Sequence, residues 1–355
     1  MPVDETKSKV TLADVAKAAH VSVSTVSKAL ADTGRISAQT RRLVRKTADD
    51  LGYRKSAGSK ERRAHSGLVG LITSDHNGRF SLPLLVGAES TLGASNHAAL
   101  LMSAHGKPAL ERSHINQLAA HGVDGLIVVG DTTNPRPPLA PNVTMGLPVV
   151  YTYDPSFNER DCSVVCDNTG AGRQAIEYLI GQGRHAIAIV GGSESFQASR
   201  DRAHGALETF LLYGLQPVAQ LADRWSEEWG ERAAALLMRD CPQLDAVYCL
   251  SDEIARGMVR GLAVAGRRVP QDVAVVGHDN WDVFCTNAHP TLTTFDNNIA
   301  LIGKTAARLL IDAIHGHPHH GVTAVECPMI IRESTESSRR TPVRGSGYLT
   351  GLEDD

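Results

Sequence analysis

Over the first fifty positions apolar residues recur at the three- and four-residue spacing of helices; after position 67 they gather into short runs. In the head, Leu12, Val15, Ala16, Val26, Leu30, Ile36, Leu43, Val44, Ala48 and Leu51 keep the helical spacing, enough for one small three-helix core. Thr11 stands where it can cap a helix over 12 to about 19, with Asp14 at the capping-box position. Ser22 can cap a second helix over 23 to about 30. Ser37 can cap a third that runs to 51, where Gly52 can end it in the left-handed conformation. Residues 54–66, RKSAGSKERRAHS, are polar, basic and nearly free of large apolar side chains, as a linker would be.

Beyond the linker, strand patterns fall at 67–73, 98–103, 125–129, 148–152, 163–166, 186–190, 246–250, 273–277 and 292–295. Helical stretches such as 171–182, 200–213, 229–239 and 253–265 lie between them. Alternating helices and near-continuous apolar strands predict an α/β protein whose parallel sheets are covered on both faces. The strands are too many for one small sheet, so two doubly wound lobes are expected. The tail after about 334, with its SSRR and RGSG, reads as disordered.

A chain of 355 residues, 42% hydrophobic and 21% charged, is ordinary globular material in two or three domains. Disordered, collagen-like and disulfide-miniprotein classes are excluded. No apolar run approaches the ~20 residues of a membrane span. The first residues, MPVDETK, lack the apolar core of a signal peptide. The six cysteines form no CxxC pair, so reduced thiols, a cytoplasmic location and no membrane partner are expected. The net charge of −3 hides an asymmetry: residues 1–66 hold 14 basic and 7 acidic side chains, and the rest 22 against 32. A head of +7 on a body of −10 suits a polyanionic partner, although a solvated surface bias would give the same count.

Residues 11–31, TLADVAKAAHVSVSTVSKALA, have the spacing of a helix, a tight turn at His20-Val21 and a second capped helix: a helix-turn-helix. Small polar and basic groups follow the turn, where side chains and free helix N–H groups can meet phosphates and base edges. A three-helix bundle with a polar face is the plainer alternative. With Ile36–Arg41 (ISAQTR) and Leu51-Gly52-Tyr53, the stretch resembles the LacI/GalR family of bacterial transcription regulators. The resemblance continues through VVCDN at 164–168, GRHAIA at 183–188, SDEIA at 251–255, VPQDVAVVG at 269–277, LTT at 292–294 and REST at 332–335. It spans about residues 10–336.

The resemblance implies a head at 1–53, a hinge at 54–66, a core like periplasmic sugar-binding proteins at 67–336 and a tail at 337–355. Lobe 1 would take about 67–162 and 292–322, and lobe 2 about 163–291 and 323–336, joined by three crossings. It implies a homodimeric repressor on double-stranded operator DNA, switched by a small-molecule effector, a sugar, held between the lobes. Val23, Ser24 and Lys28 match its base-reading positions; Lys28 can donate to guanine, and Val23 offers apolar contact to a thymine methyl. Thr11, Ser22, Thr25, Ser27, Ser37, Thr40 and Tyr53 match its backbone contacts, though Ser22 and Ser37 could be caps and nothing more.

For the effector, Arg202 early in a helix and Asp279 beyond the carboxyl end of a strand can clamp vicinal hydroxyls, or can simply form a salt bridge. Both match pocket residues of the family. Neither is needed by the head, so substituting them should remove the effector response and leave the fold intact. Ser74, Tyr153, Ser251 and Asn297 match further pocket positions, and Trp225 an aromatic that stacks on a sugar face. Phe80 and Phe196 are candidates of the same kind, whereas Trp229 and Trp281 could equally plug loop edges.

The hinge departs from the family. Lys55 replaces a usual proline, and Arg62 stands where a leucine wedges into the minor groove. Gly58 weakens a helix there, so Lys60, Arg62 and Arg63 are expected to follow phosphates or a narrow minor groove, with little bending of the DNA. No leucine heptads follow Arg332, so a dimer rather than a coiled-coil tetramer is expected. TGAG at 169–172 lacks the GxGxxG of a dinucleotide loop. His315, His317, His319 and His320 have no partner cysteine or carboxylate motif. No catalytic residue, metal or cofactor is expected. A carbohydrate-binding protein or sugar enzyme of similar core fold remains the alternative.

Overall fold

The computed structural model describes residues 10–30, 34, 36–51, 65–75 and 77–336. It forms two compact units, Met1–Ala64 and His65–Asp355. Gly52, Tyr53, the hinge positions Lys55, Gly58, Lys60, Arg62 and Arg63, and the tail 337–355 lie outside the described residues.

In the first unit, helices α1 (Leu12–Ala18), α2 (Val23–Leu30) and α3 (Ala38–Asp50) enclose Val15, Ala16, Ala19, Val26, Ala29, Val44 and Ala48. Thr11 and Asp14 close a reciprocal capping box. After α1 the chain reverses at His20, whose φ of 52° is left-handed. The Val21 N–H donates to the Ala16 carbonyl and the His20 N–H to Lys17, the pattern that ends a helix in a sharp turn. Ser22 and Ser37 accept the N–H groups of Thr25 and Thr40 at 3.1 Å, capping α2 and α3. Leu43 and Leu51, read as core from their spacing, are 50% and 39% exposed. Val44 and Ala48 hold the core face of α3, and Leu43 lies about 100° around the helix from Val44.

The second unit begins with β1 (Leu68–Thr73), α4 (Ser81–Ala94), β2 (Ala98–Ser103), α5 (Pro108–Ala120), β3 (Gly125–Val129), α6 (Pro141–Thr144), β4 (Val149–Thr152) and β5 (Cys162–Cys166). It continues through α7 (Asn168–Gly181), β6 (Ile187–Gly191), α8 (Gln197–Leu212), β7 (Ala219–Ala222), α9 (Glu227–Asp240), β8 (Ala246–Cys249), α10 (Asp252–Val264) and β9 (Ala274–Val276). α11 (Asp282–Cys285), β10 (Thr294–Phe295), α12 (Ile299–Ile314), β11 (Gly321–Val325) and β12 (Met329–Ile330) complete it.

Two parallel sheets result, ordered β11-β5-β4-β3-β1-β2 and β7-β6-β8-β9, with a small antiparallel β10–β12 pair. Helices α4 and α12 pack as one pair, α7 and α8 as a second, α9 and α10 as a third. The TGAG segment is part of α7 and serves this packing: a Cβ on Gly172 would stand 2.1 Å from the Arg202 carbonyl oxygen, and one on Gly205 would stand 1.9 Å from that of Thr169. Only glycines let α8 approach so closely, and that approach sets the position of Arg202.

The lobe border read at 162/163 falls inside β5, which pairs with β4 and along its whole length with β11. A buried strand must pair its backbone polar groups, so the crossing comes after Cys166. The return border at 322/323 falls inside β11 for the same reason. Thr293 bridges to Val276 and donates its N–H to Ser334, which keeps it with lobe 2; the chain crosses at 296–298 and again at 326–328. Ser334 and Thr335, the last residues of the REST match, are buried against Val275 and Tyr178. β7 and β11 escaped the sequence pattern because they are edge strands with alternating or exposed positions.

Candidate functional site

The cleft between the two lobes is built from loops at the carboxyl ends of their strands, where open α/β sheets hold ligands. Lobe 1 contributes Arg79 and Phe80 after β1, Asp131, Thr132 and Thr133 after β3, and Tyr153 after β4. Lobe 2 contributes Phe196 and Arg202 at α8, Trp225 after β7, Ser251 and Glu253 at the start of α10, and Asp279, Trp281 and Phe284 after β9.

Asp279 is the hub. Its φ of 109° and the 75° of Tyr153 are conformations that cost side-chain-bearing residues about 1–3 kcal/mol and cluster at binding sites. One oxygen of Asp279 accepts from Arg202 Nη1 at 3.3 Å and Asn297 Nδ2 at 3.0 Å; the other accepts from Arg79 Nη2 at 2.7 Å. Burial raises the Asp279 pKa, but Arg79 and Arg202 outweigh it and hold the carboxyl below its ordinary value. Arg202 is 3% exposed and also donates to Asn168 Oδ1 and the Leu250 carbonyl, both at 2.7 Å. Beneath them His278, kept neutral by burial and Arg202, meets Asn297 Oδ1 at 3.1 Å.

The contacts that tie the lobes across the cleft include the Arg79–Asp279 pair and Asn134, which donates to the Ser195 carbonyl and accepts from the Gln197 N–H. Arg79 also lies over Trp281, 4.1 Å from its ring centroid. The remaining cavity is about 190 Å³. That is smaller than the ~300–1,000 Å³ of small-molecule clefts, as befits a pair of lobes already drawn together. Six aromatic rings wall it, with Phe80 against Tyr153 and Phe196 against Trp225. Thr133 Oγ1, on the wall, is buried without a protein hydrogen-bond partner, an unsatisfied group a ligand could complete.

Of the residues proposed from the sequence, Phe80, Tyr153, Phe196, Arg202, Trp225, Ser251 and Asp279 meet in this cleft. Ser74 is not among its lining residues; its N–H pairs with the Val129 carbonyl. Asn297 sits one layer behind, holding Asp279 and Arg202. Ser251 accepts the Ile254 N–H as the cap of α10. Trp281 lines the cleft, whereas Trp229 is buried in α9 with its indole N–H on the Gly191 carbonyl. Arg79, Asp131, Thr132, Thr133, Glu253 and Phe284 were missed. For Arg79 and 131–133 the strand-end rule that found Asp279 would have found them too. Among the described residues no group of three His, Cys, Asp or Glu side chains is placed to hold a metal; His319 pairs with Asp312.

Asp252, at the start of α10, accepts from Thr294 Oγ1 at 2.5 Å and the Trp281 N–H at 3.0 Å. Burial and the Asp279 charge push its pKa up to about 8. An unfolded aspartate titrates at about 4, so between about pH 4 and about pH 8 the folded state holds a proton that the unfolded state has released. Stability should therefore fall as pH rises through that window. Asp154, pushed up to about 8 chiefly by burial, has the same sign. Asp252→Asn should remove its share of that fall in urea midpoints measured against pH, and adding Asp154→Asn should remove the share of Asp154. The difference between wild type and variant isolates these carboxyls from His278, which is held neutral in the fold and contributes the opposite slope below about pH 6.5; a difference that stays constant over the window would show both carboxyls ionised in the fold.

In the head, the exposed face of α2 carries Val23, Ser24, Ser27 and Lys28, with Val23 47% exposed. Thr25 and Thr40 are half-buried, and their hydroxyls meet those of Ser22 and Ser37 at 2.8 Å. Thr11 donates its hydroxyl to Asp14 at 2.7 Å, so its proton is spent inside the capping box.

Residues 11–56 match the bacterial regulatory proteins of the lacI family, and residues 176–335 match the periplasmic binding protein-like domain. The HTH-type transcriptional regulator CelR of Thermobifida fusca is 32% identical over 343 residues, covering 93% of this chain and 99% of the relative. The chain belongs to the LacI family. The HTH-type transcriptional repressor CytR of Escherichia coli K12 is 31% identical over 340 residues, 92% of this chain and 96% of that one. Among solved structures, a CelR–cellobiose complex superposes with a TM-score of 0.62 at 29% identity, covering 92% of this chain and 99% of that chain. A lac repressor dimer bound to operator and the anti-inducer ONPF has a TM-score of 0.65 at 23% identity, covering 92% and 99%, and supports the fold. This LacI-family protein is a DNA-binding transcription regulator, and the relatives that show it are regulators rather than enzymes.

Proposed function

We propose that this regulator represses transcription as a homodimer on operator DNA and that a neutral sugar in the interlobe cleft switches its affinity. The observation that carries the effector reading is the Arg202–Asp279–Arg79 cluster facing a wall of aromatic rings. Charged forks suit vicinal hydroxyls, and rings suit the apolar faces of pyranoses. The relative solved with cellobiose supports the same class. Asp131, Glu253 and Asp279 against Arg79 and Arg202 leave an acidic surplus that disfavours uronates and sugar phosphates.

A thermal-shift series with cellobiose, other neutral disaccharides, monosaccharides and nucleosides tests it. A ligand at a hundredfold its Kd stabilises the folded state by about 2.7 kcal/mol. A shift with nucleosides and none with any sugar would overturn the sugar reading. For the DNA, electrophoretic retardation with and without residues 1–66 should show binding by the whole chain alone.

Lys28 is proposed to read a base and Val23 and Ser24 to flank it; Ser22, Thr25, Ser27, Ser37, Thr40 and Tyr53 are proposed to meet the backbone. Lys28→Ala should cost about 1–3 kcal/mol of discrimination at one base pair per half-site. Equal weakening on specific and non-specific DNA would make Lys28 a phosphate contact instead.

The dimer is proposed to form through lobe 1, where Leu82 and Val86 of α4 and Leu100 and Leu101 of the adjoining edge strand β2 are 37–67% exposed. Edge strands and apolar helix faces left open in this way call for cover. Val86→Glu should shift sedimentation toward the monomer, whereas deleting 337–355 should leave the dimer intact.

A further inference from the structure

The two oxygens of Asp279 are held differently. Oδ1 accepts from Arg202 and Asn297, both buried. Oδ2 accepts from Arg79, which reaches it from lobe 1 at 2.7 Å. Arg202 has four hydrogen-bond partners: Asn168, the Leu250 carbonyl, Asp279 and Asn297. Among the described residues Arg79 has Asp279 alone, and its side chain is 27% exposed. The Arg202 contact is therefore fixed, and the Arg79 contact is exchangeable.

The loop that carries Arg79 is firmly seated. One oxygen of the buried Asp75 accepts the N–H groups of Phe80 at 2.8 Å and Ser81 at 3.0 Å, and the other accepts that of Asn77 at 3.0 Å. Gly78 takes the left-handed turn just before Arg79, with φ 73°. The guanidinium so presented lies 4.1 Å from the Trp281 ring centroid and 5.1 Å from that of Phe80. A carboxylate oxygen beside aromatic faces is the seat a sugar needs, with a hydroxyl on the acceptor and an apolar face on a ring. Arg79 sits in it.

Two hollows meet at this side chain. The cleft cavity of about 190 Å³ and a neighbouring one of about 280 Å³ share Arg79, Phe80, Asp279 and Trp281. Asn280, Asp296 and Asn298 line the second. Each hollow falls below the ~300–1,000 Å³ of small-molecule sites, and the two together fall within it.

We propose that Arg79 is a tethered competitor for the effector: its guanidinium takes the hydroxyl seat at Asp279 Oδ2 and partitions the cleft, and the effector binds by displacing it. The proposal rests on the reading of the cleft as a sugar site. Displacement joins the two hollows, so the ligand is a sugar longer than one ring, a disaccharide or a glycoside, whose second unit meets Asn280, Asp296 and Asn298. Arg79 then sets the effector concentration at which the regulator responds, because apparent affinity scales with the fraction of molecules whose site is open. The sign is diagnostic. Removing a competitor tightens binding, whereas removing a group that holds the sugar weakens it.

The test is calorimetry on the full chain, wild type and Arg79→Ala, with cellobiose, maltose, glucose and methylguanidinium chloride. Arg79→Ala should bind a disaccharide at least tenfold more tightly than wild type, with a smaller gain for glucose. It should also bind methylguanidinium, which the wild type, with its own guanidinium in the seat, should not. Arg79→Gln, nearer in size, should show the same direction of change for disaccharides, and urea midpoints establish that both variants are folded. Equal or weaker disaccharide binding by the folded variants would overturn the proposal. An equal gain for glucose would overturn the assignment of a longer sugar. If no sugar binds either protein, the sugar reading falls, and methylguanidinium still decides the role of Arg79. Its failure to bind Arg79→Ala, or equal binding to wild type, would show that the guanidinium does not occupy a ligand seat.

Discussion

Arg202→Ala is expected to abolish effector binding and, in the same stroke, to destabilise the core by about 3–5 kcal/mol, the cost of breaking a buried charged network from one side. From the sequence alone the substitution should have left the fold untouched. Burial changes that expectation. Arg202 satisfies Asn168, the Leu250 carbonyl, Asn297 and Asp279 at once, and its loss leaves those acceptors short of donors, with Asn168, Leu250 and Asn297 all buried. Asp279→Asn is the cleaner probe of the site, because it keeps the shape and loses the charge. It should remove the effector response at a smaller cost in stability. Urea denaturation of both variants, with calorimetry against cellobiose, separates the two effects. A wild-type urea midpoint for Arg202→Ala would show that the network contributes little to the fold, and unchanged sugar affinity in both variants would move the site elsewhere.

Operator affinity should fall roughly a thousandfold between about 50 mM and about 200 mM salt, a log–log slope near −5 or steeper for the dimer. The motive is the surplus of seven positive charges in residues 1–66, set on a body with ten surplus negative ones. Lysines and arginines that replace condensed cations on phosphates release those cations, and added salt reverses the gain. Titrations at four or five salt concentrations measure the slope directly. An affinity independent of salt would leave the basic head without a role on DNA.

The head was legible in the sequence because its structure is local. Thr11, Ser22 and Ser37 cap the next turn of chain, and α1 to α3 close a core through neighbours three and four residues apart. Strands buried on both faces, such as β3 and β6, announce themselves as unbroken apolar runs. β7 and β11 do not, because an edge strand can expose its side chains and still pair its backbone.

What the sequence determined by itself was the family, the α/β class and the helix-turn-helix, since these rest on patterns and motifs read along the chain; Arg202 and Asp279 it put forward as candidates. The tertiary structure alone decided which side chains meet. Arg79 reaches Asp279 across 200 positions, Asn134 meets Gln197 from the opposite lobe, and Val325 finds Cys166 through the register of β11 on β5. It also decided that the crossing follows Cys166, because the ladder of β5 is completed by a strand more than 150 residues away. Pairings of that kind are set by sheet order and by the glycines that bring α7 and α8 into contact, and they leave no periodic trace along the chain.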